Sequence, residues 1–433
     1  AIRFTAGPGV HNDPAGGGES QEAYALLGHG GHTARGDHLG NITVTAAGDI
    51  IFKASDSAPT GIAQLGHGGW DADDPNGGTA STGNRGDISV TTTNGGNIVF
   101  TAGSGTQNDN YAQLGHGGRA TNGNHIGNIM VVGDGDLLFT GGLVNAYAQL
   151  GHGGVDAAGD LNGWINVDVK GLIDFKAGTA DRGYTQLGHG GYHADDTTTT
   201  VGHIGNITVK SGGDINFTGG TAGTTYAQLG HGGHENDGDH SGVIVVDSGG
   251  AIRFAAGNGS VPSIWENMAN LGHGGLRARG DHSGNITVTA VDNIELTGGT
   301  NRRSYAQIGH GGQDADNPNE DVNSVGMNGA ITVQSTAGDI LLTGGTGYES
   351  YTMIGHGGQA TKGQNGSDGL SDIEIDAAGR LVLKSGAGPE AGGDQSGQLA
   401  NAQIGHGGDD ADGNHTANIC IHVGEDVLLD SSG

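Results

Sequence analysis

The stretch "GNITVTAAGDIIFKA" at residues 40–54 holds two alternating apolar runs, Ile42 with Val44 and Ile50 with Phe52, separated by a short Gly-Asp corner. Apolar residues at period two mark a strand with one buried face. The same phrase returns along the whole chain. Its first strand aligns Ile42, Ile88, Ile129, Ile165, Ile207, Ile244, Ile286, Ile331, Ile373 and Ile419, each followed two residues later by Val or Ile. Its second strand gathers all seven phenylalanines into one column, Phe4, Phe52, Phe100, Phe139, Phe175, Phe217 and Phe254, continued by Leu296, Leu342, Leu383 and Leu429. Such sorting is expected where equivalent side chains stack, rung upon rung.

A third strand is carried by "YAQLGHGG" at 111–118, whose Gly-His-Gly-Gly recurs ten times, at His29, His67, His116, His152, His189, His231, His273, His310, His356 and His406. Alternation turns Ala112 and Leu114 inward and Tyr111 and Gln113 outward. The histidines are spaced 36 to 50 residues apart, while the step from first-strand Ile to second-strand Phe is 10 residues in most units. The frame is therefore constant, and the extra length falls in polar loops such as "DADDPNGGTASTGNRG". Three strands per rung, each pairing with its equivalent in the next, define an all-β fold, a parallel β-helix solenoid of about ten rungs with variable loops. One continuous β-helix is expected over 1–433, with a partial rung at each terminus and ten repeats between. Ten rungs at ~4.8 Å make a rod of roughly 48 Å. Two shorter coils per unit would be a variant within the same class.

Composition narrows the function. Ninety-three glycines, with 33% hydrophobic and 4% aromatic residues, suit a thin wound core rather than one broad core. Seventeen Lys and Arg against 47 Asp and Glu leave a formal charge of -30, which repels phosphate backbones and anionic lipid and attracts cations. No nucleic-acid partner and no membrane insertion are expected, because no apolar run approaches the ~20 residues of a membrane span. The single Cys420 precludes an intrachain disulfide framework and suits a chain exported unfolded. The sequence starts within the repeat pattern, at "AIRFTAG", so it reads as a mature product or a segment of a longer chain.

The segments "GNITVTAAGDIIFKA" at 40–54 and "GNITVKSGGDINFTGG" at 205–220 resemble the repeats of filamentous-haemagglutinin-like bacterial exoproteins, the adhesin type exported by two-partner secretion or as autotransporter passengers. The resemblance runs through all ten units, although the Gly-His-Gly-Gly insertion departs from the shorter coil usual in that family. It implies a secreted or cell-surface bacterial protein built as a right-handed β-helical stalk and acting in attachment. It carries over no catalytic residues.

Several columns are candidate sites. The ten Gly-His-Gly-Gly histidines, with a second set at His38, His125, His203, His240, His282 and His415, offer stacked imidazoles either to a transition metal or to a structural ladder at a glycine corner. Closely spaced carboxylates at Asp71, Asp73 and Asp74, at Asp314 and Asp316, and at Asp409, Asp410 and Asp412 suit calcium or solvated turns. No cofactor is required by this reading. The residues that open the first strands, Asn41, Asp87, Asn128, Asn206, Asn285 and Asn418, read as a side-chain ladder at a bend. The outward column of the first strand, running from Thr43 through Glu374 to His422, is too mixed for a flat ice-binding array.

Two function classes remain. One is a non-enzymatic adhesive stalk or filament that binds a glycan or protein on a host or neighbouring cell and self-associates end to end. The other is a glycan-binding or glycan-degrading β-helix, for which outward tyrosines would be an aromatic platform. An enzyme needs one singular constellation. Ten equivalent positions cannot all be an active site.

Overall fold

A computed structural model describes residues 1–7, 22–58, 60–72, 82–105, 109–194, 202–259, 266–315, 326–363, 365–366, 369–387 and 400–431. Every strand pairing among them is parallel, and no helix occurs among the described residues. The three expected columns form three long sheets. First strands such as Ile42–Ala46 build a 10-stranded sheet, second strands such as Ile50–Lys53 an 11-stranded sheet, and third strands such as Tyr111–Leu114 another 10-stranded sheet. The register is in phase throughout: Ile88 pairs with Ile42 and Ile129, and Phe100 with Phe52 and Phe139. The fold is a parallel β-helix.

Its main core is the lumen of this triangle. Ile and Val of the first sheet, Ile and Phe of the second, and Ala and Leu of the third form one continuous buried cluster. Neighbouring phenylalanines stack with centroids 4.5–4.9 Å apart and near-parallel planes. That is the sheet spacing itself, so a ring at one rung meets its copy at the next without distortion.

The rung has more sides than the three expected. Short strands including Asn124–Ile126 form an eight-stranded sheet just ahead of the first strands, and Gly-Gly-x segments such as Gly117–Arg119 form two three-stranded sheets. These segments fold back over the third sheet and correct the expected exposure of its outer face. Tyr111, Tyr147, Tyr184, Tyr226 and Tyr305 do point away from the lumen, yet they lie in a second buried cluster with Val155, Leu276 and Met268. Gln113 and its equivalents are buried as well. Alternation identifies which side of a strand a residue faces. It carries no information on whether another layer covers that side.

Bends are closed by side chains that reach along the axis. Asn41 Oδ1 accepts the Asp87 N–H, Asp87 Oδ1 the Asn128 N–H, and Asn128 Oδ1 the Trp164 N–H, at 2.9–3.1 Å. The ladder at the first-strand bend is thus side chain to backbone, which satisfies donors the sheet leaves over. In the outward column of the first sheet, Glu374 pairs with Cys420 rather than with His422, which lies opposite Asp376.

Candidate functional site

The recurrent Gly-His-Gly-Gly corner is the most distinctive chemical feature, and each of its residues has a mechanical cause. At Gly115 a Cβ would lie 1.8 Å from the Gly151 carbonyl oxygen of the next rung. At Gly118, with φ of +130°, it would lie 2.1 Å from the Gly69 oxygen and 2.5 Å from the Tyr111 hydroxyl. The backbone of one corner touches the backbone of the next, so only glycine fits.

Between those glycines the imidazole is locked at both nitrogens. The main-chain N–H of each corner histidine donates to Nδ1 of the next one along the rod, at 2.9–3.0 Å in all nine steps from His29 to His406. Nε2 of His67, His116, His152, His189, His231, His273, His310 and His356 meets the carbonyl oxygens of Gly40, Gly86, Gly127, Gly163, Gly205, Gly242, Gly284 and Gly329, at 2.6–2.9 Å. His406 reaches the Ser371 carbonyl in the same way, at 2.7 Å. A backbone N–H can only donate and a carbonyl can only accept, so these nine rings are neutral with the proton on Nε2. The ladder runs through the backbone rather than from ring to ring.

Burial is the principal reason the corner imidazoles resist protonation. It pushes His116 and His273 down to about 3 and His189 to about 4, and holds His152, His231 and His310 well below the ordinary range. The rings stack at 4.7–5.0 Å with planes within 11° of parallel. A metal bound by imidazole lies in the ring plane about 2 Å from nitrogen. Parallel planes almost 5 Å apart do not converge on one ion, and in this geometry each Nδ1 lone pair already accepts a hydrogen bond.

The glutamine completes the corner. Gln113 Nε2 donates to the carbonyls of Gly151 and Gly153 at 3.1 and 2.9 Å, and Gln64, Gln149, Gln186, Gln228 and Gln307 repeat the pattern. Asn270 holds the same place between Gln228 and Gln307, and neither of its amide atoms finds a partner.

The second histidine set divides. His38 Nδ1 meets Asn84 Oδ1 at 2.8 Å, Asn84 Nδ2 meets His125 Nδ1 at 3.0 Å, and His125 Nε2 meets Thr121 Oγ1 at 3.1 Å. Leu161 and Met327 take the same column between histidines. His203, His240 and His282 are fully buried, and His415 Nδ1 lies 3.2 Å from the Asn365 carbonyl. Sequence reasoning missed this column's continuity because histidine occupies only part of it.

Above the tyrosines runs a ridge of charges. The second residue after each Gly-His-Gly-Gly has a left-handed backbone in all ten units, φ 49–55°, whether it is Thr33, Asp71, Ala120, Asp156, His193, Glu235, Arg277, Asp314, Ala360 or Asp410. Nothing in residue type signals this conformation. Polar pairs brace the ridge, Arg119 with Asp109 at 3.2 Å and Arg277 with Glu266 at 2.7 Å within one rung, and His193 with Glu235 at 2.5 Å and Arg303 with Glu349 at 2.7 Å between neighbouring rungs. Burial raises Glu266 despite its two arginines, whereas the adjacent His234 ring and the hydrogen-bonded His193 hold Glu235 low.

The acidic candidates fall partly on this ridge. Asp71, Asp314 and Asp410 occupy the left-handed position in separate rungs. Asp409 precedes Asp410 and is raised by burial, and Asp412 pairs with Lys362. Asp73, Asp74 and Asp316 lie outside the described residues. No group of three or more His, Cys, Asp or Glu side chains arranged to hold a metal occurs among the described residues.

No protein-family model, characterised protein or solved structure matches the chain.

Proposed function

We propose that this chain is a structural and adhesive segment of an extracellular bacterial stalk or filament, and that its work is length, stiffness and display rather than catalysis. The observation that carries the reading is the corner itself. At step after step, the imidazole nitrogens, the glutamine Nε2 and the glycines of the recurrent motif are engaged by neighbouring backbone, as in a load-bearing repeat. Length variation is confined to polar loops, where a surface receptor, glycan or protein, would be contacted. Burial of Tyr111, Tyr147, Tyr184, Tyr226, Tyr305 and Tyr351 weighs against an aromatic platform for glycan on this face. End-to-end contact between copies would extend the rod into fibres.

The test is direct. Beads coated with the protein are expected to adhere to cells, and force microscopy is expected to show rods of uniform width. Depolymerisation of any member of a panel of acidic and neutral polysaccharides, with no adhesion, would replace this proposal by the enzymatic one.

A further inference from the structure

Three successive rungs hold six fully buried imidazoles: His189, His231 and His273 at the corners, and His203, His240 and His282 in the second column. His203 stacks on His240 at 4.4 Å and His240 on His282 at 5.0 Å. Unlike His125, these three rings have no hydrogen-bond partner at either nitrogen among the described residues. The position of Thr121, which meets His125, is Ala194, Asn236 and Ala278 here, and the Asn236 amide is turned to the carbonyls of Gly191 and His234. The backbone of Asp239 beside His240, and of Ala278 and Asp281 beside His282, lies close without completing a hydrogen bond. The flanking rungs differ, because Leu161 and Met327 fill the second column there and leave one such imidazole per rung.

A proton has no place in this block while it is closed. On a corner ring it must go to Nδ1, which already accepts a backbone N–H, so two donors would face each other. On a second-column ring it would be a buried N–H without an acceptor. Among the described residues, the titratable groups facing these six rings are each other and the corner rings His152 and His310 stacked on the two ends, with Asp239 beside His282 the carboxylate among them. An imidazolium would thus sit against other imidazoles, not against a bank of counter-charges.

We propose that the three rungs carrying His203, His240 and His282 are an acid-release joint, in which rungs open cooperatively when the surroundings become acidic enough to protonate free imidazole. The sign follows from linkage. Burial lowers all six groups in the closed rod, so the opened chain binds more protons below the ordinary imidazole value near 6.5. The closing preference is complete above that value and falls as pH drops through it. Each extra proton multiplies the opened fraction about tenfold per pH unit, and a rung with two such imidazoles is twice as steep as a rung with one. A rod carrying this joint is stiff at neutral pH and broken in its middle when acidified.

Hydrogen exchange of the full chain, corrected for intrinsic rates and followed by peptide from pH 7 to 4.5, tests this. Protection of Ile207–Ser211, Ile244–Ser248 and Ile286–Ala290 is expected to collapse at higher pH than that of Ile165–Val169 and Ile331–Ser335, which follow Leu161 and Met327. The triple variant His203→Leu, His240→Leu, His282→Leu gives this column the residue it already carries at Leu161. It is expected to move the collapse to lower pH and remove about three factors of ten per pH unit. His240→Leu alone is expected to remove one factor of ten. Protection that is flat with pH, that fails uniformly along the rod, or that is unchanged in the His240→Leu chain would overturn the proposal.

Discussion

The main-chain N–H of His116 donates to Nδ1 of His152 at 2.9 Å, so one residue's backbone is completed by the next rung's side chain. Replacing His152 by Leu orphans that N–H and also the Gly127 carbonyl, both at a buried corner. Each orphan costs about 1–3 kcal/mol. A loss of about 3 kcal/mol is expected in urea unfolding, with exchange of the His116 amide accelerated before that of distant rungs. An unchanged His116 amide would show that the ladder contributes nothing.

The exception in the glutamine column gives a test in the opposite direction. Asn270 is one methylene short of the carbonyls that Gln228 and Gln307 reach in adjacent rungs. Asn270→Gln is expected to bond the carbonyls of Gly309 and Gly311 and to stabilise the chain by about 1 kcal/mol. A denaturant midpoint equal to or below that of the natural chain would contradict this.

Ala120 has φ of 52° and no side-chain polar atom to reward it. The left-handed region costs an L-residue roughly 1–2 kcal/mol, while glycine adds about 0.4–1 kcal/mol of unfolded-chain entropy. Ala120→Gly is therefore expected to be stabilising by about 0.5 kcal/mol, the reverse of the usual outcome in a strand. Thermal melts of the pair decide the sign.

Gly115→Ala, by contrast, places a methyl 1.8 Å from a backbone oxygen that cannot move without shifting the next rung. The expected outcome is a rod broken at this step, with rapid proteolysis near residue 115 and slower cleavage in distant rungs. Uniform resistance to protease along the whole chain would show that the corner can relax.

The corner geometry also bears on metal. With each Nδ1 already accepting a hydrogen bond and ring planes nearly parallel, chelator is expected to leave the melting curve unchanged and metal analysis to find no stoichiometric transition ion. A calcium-dependent shift would instead locate binding in the acidic loops, and Asp410→Asn with Asp412→Asn is the variant pair that checks it.

The lumen was legible because it obeys one rule. Phe52, Phe100 and Phe139 recur at matching places in the repeat, and identical residues at equivalent places imply a stack. Tyr111 obeys the same rule, but whether its ring is wet depends on Gly117–Arg119 folding over it, and that contact spans no periodic pattern. For the histidines, spacing disclosed a column and nothing more. Whether His116 binds a metal, another ring or the backbone is decided by the direction of two nitrogens, which sequence does not encode. The charged ridge was invisible because its left-handed position accepts Thr, Asp, Ala, His, Glu and Arg alike.

Because most units offer the same donors and acceptors above and below, one such rung can be exchanged for another. Excising the 37 residues from His152 through Gly188 would bring His116 against His189, the same partner chemistry it has now. Length in such a molecule is a counted quantity, adjustable by whole units of the gene without redesigning a single contact.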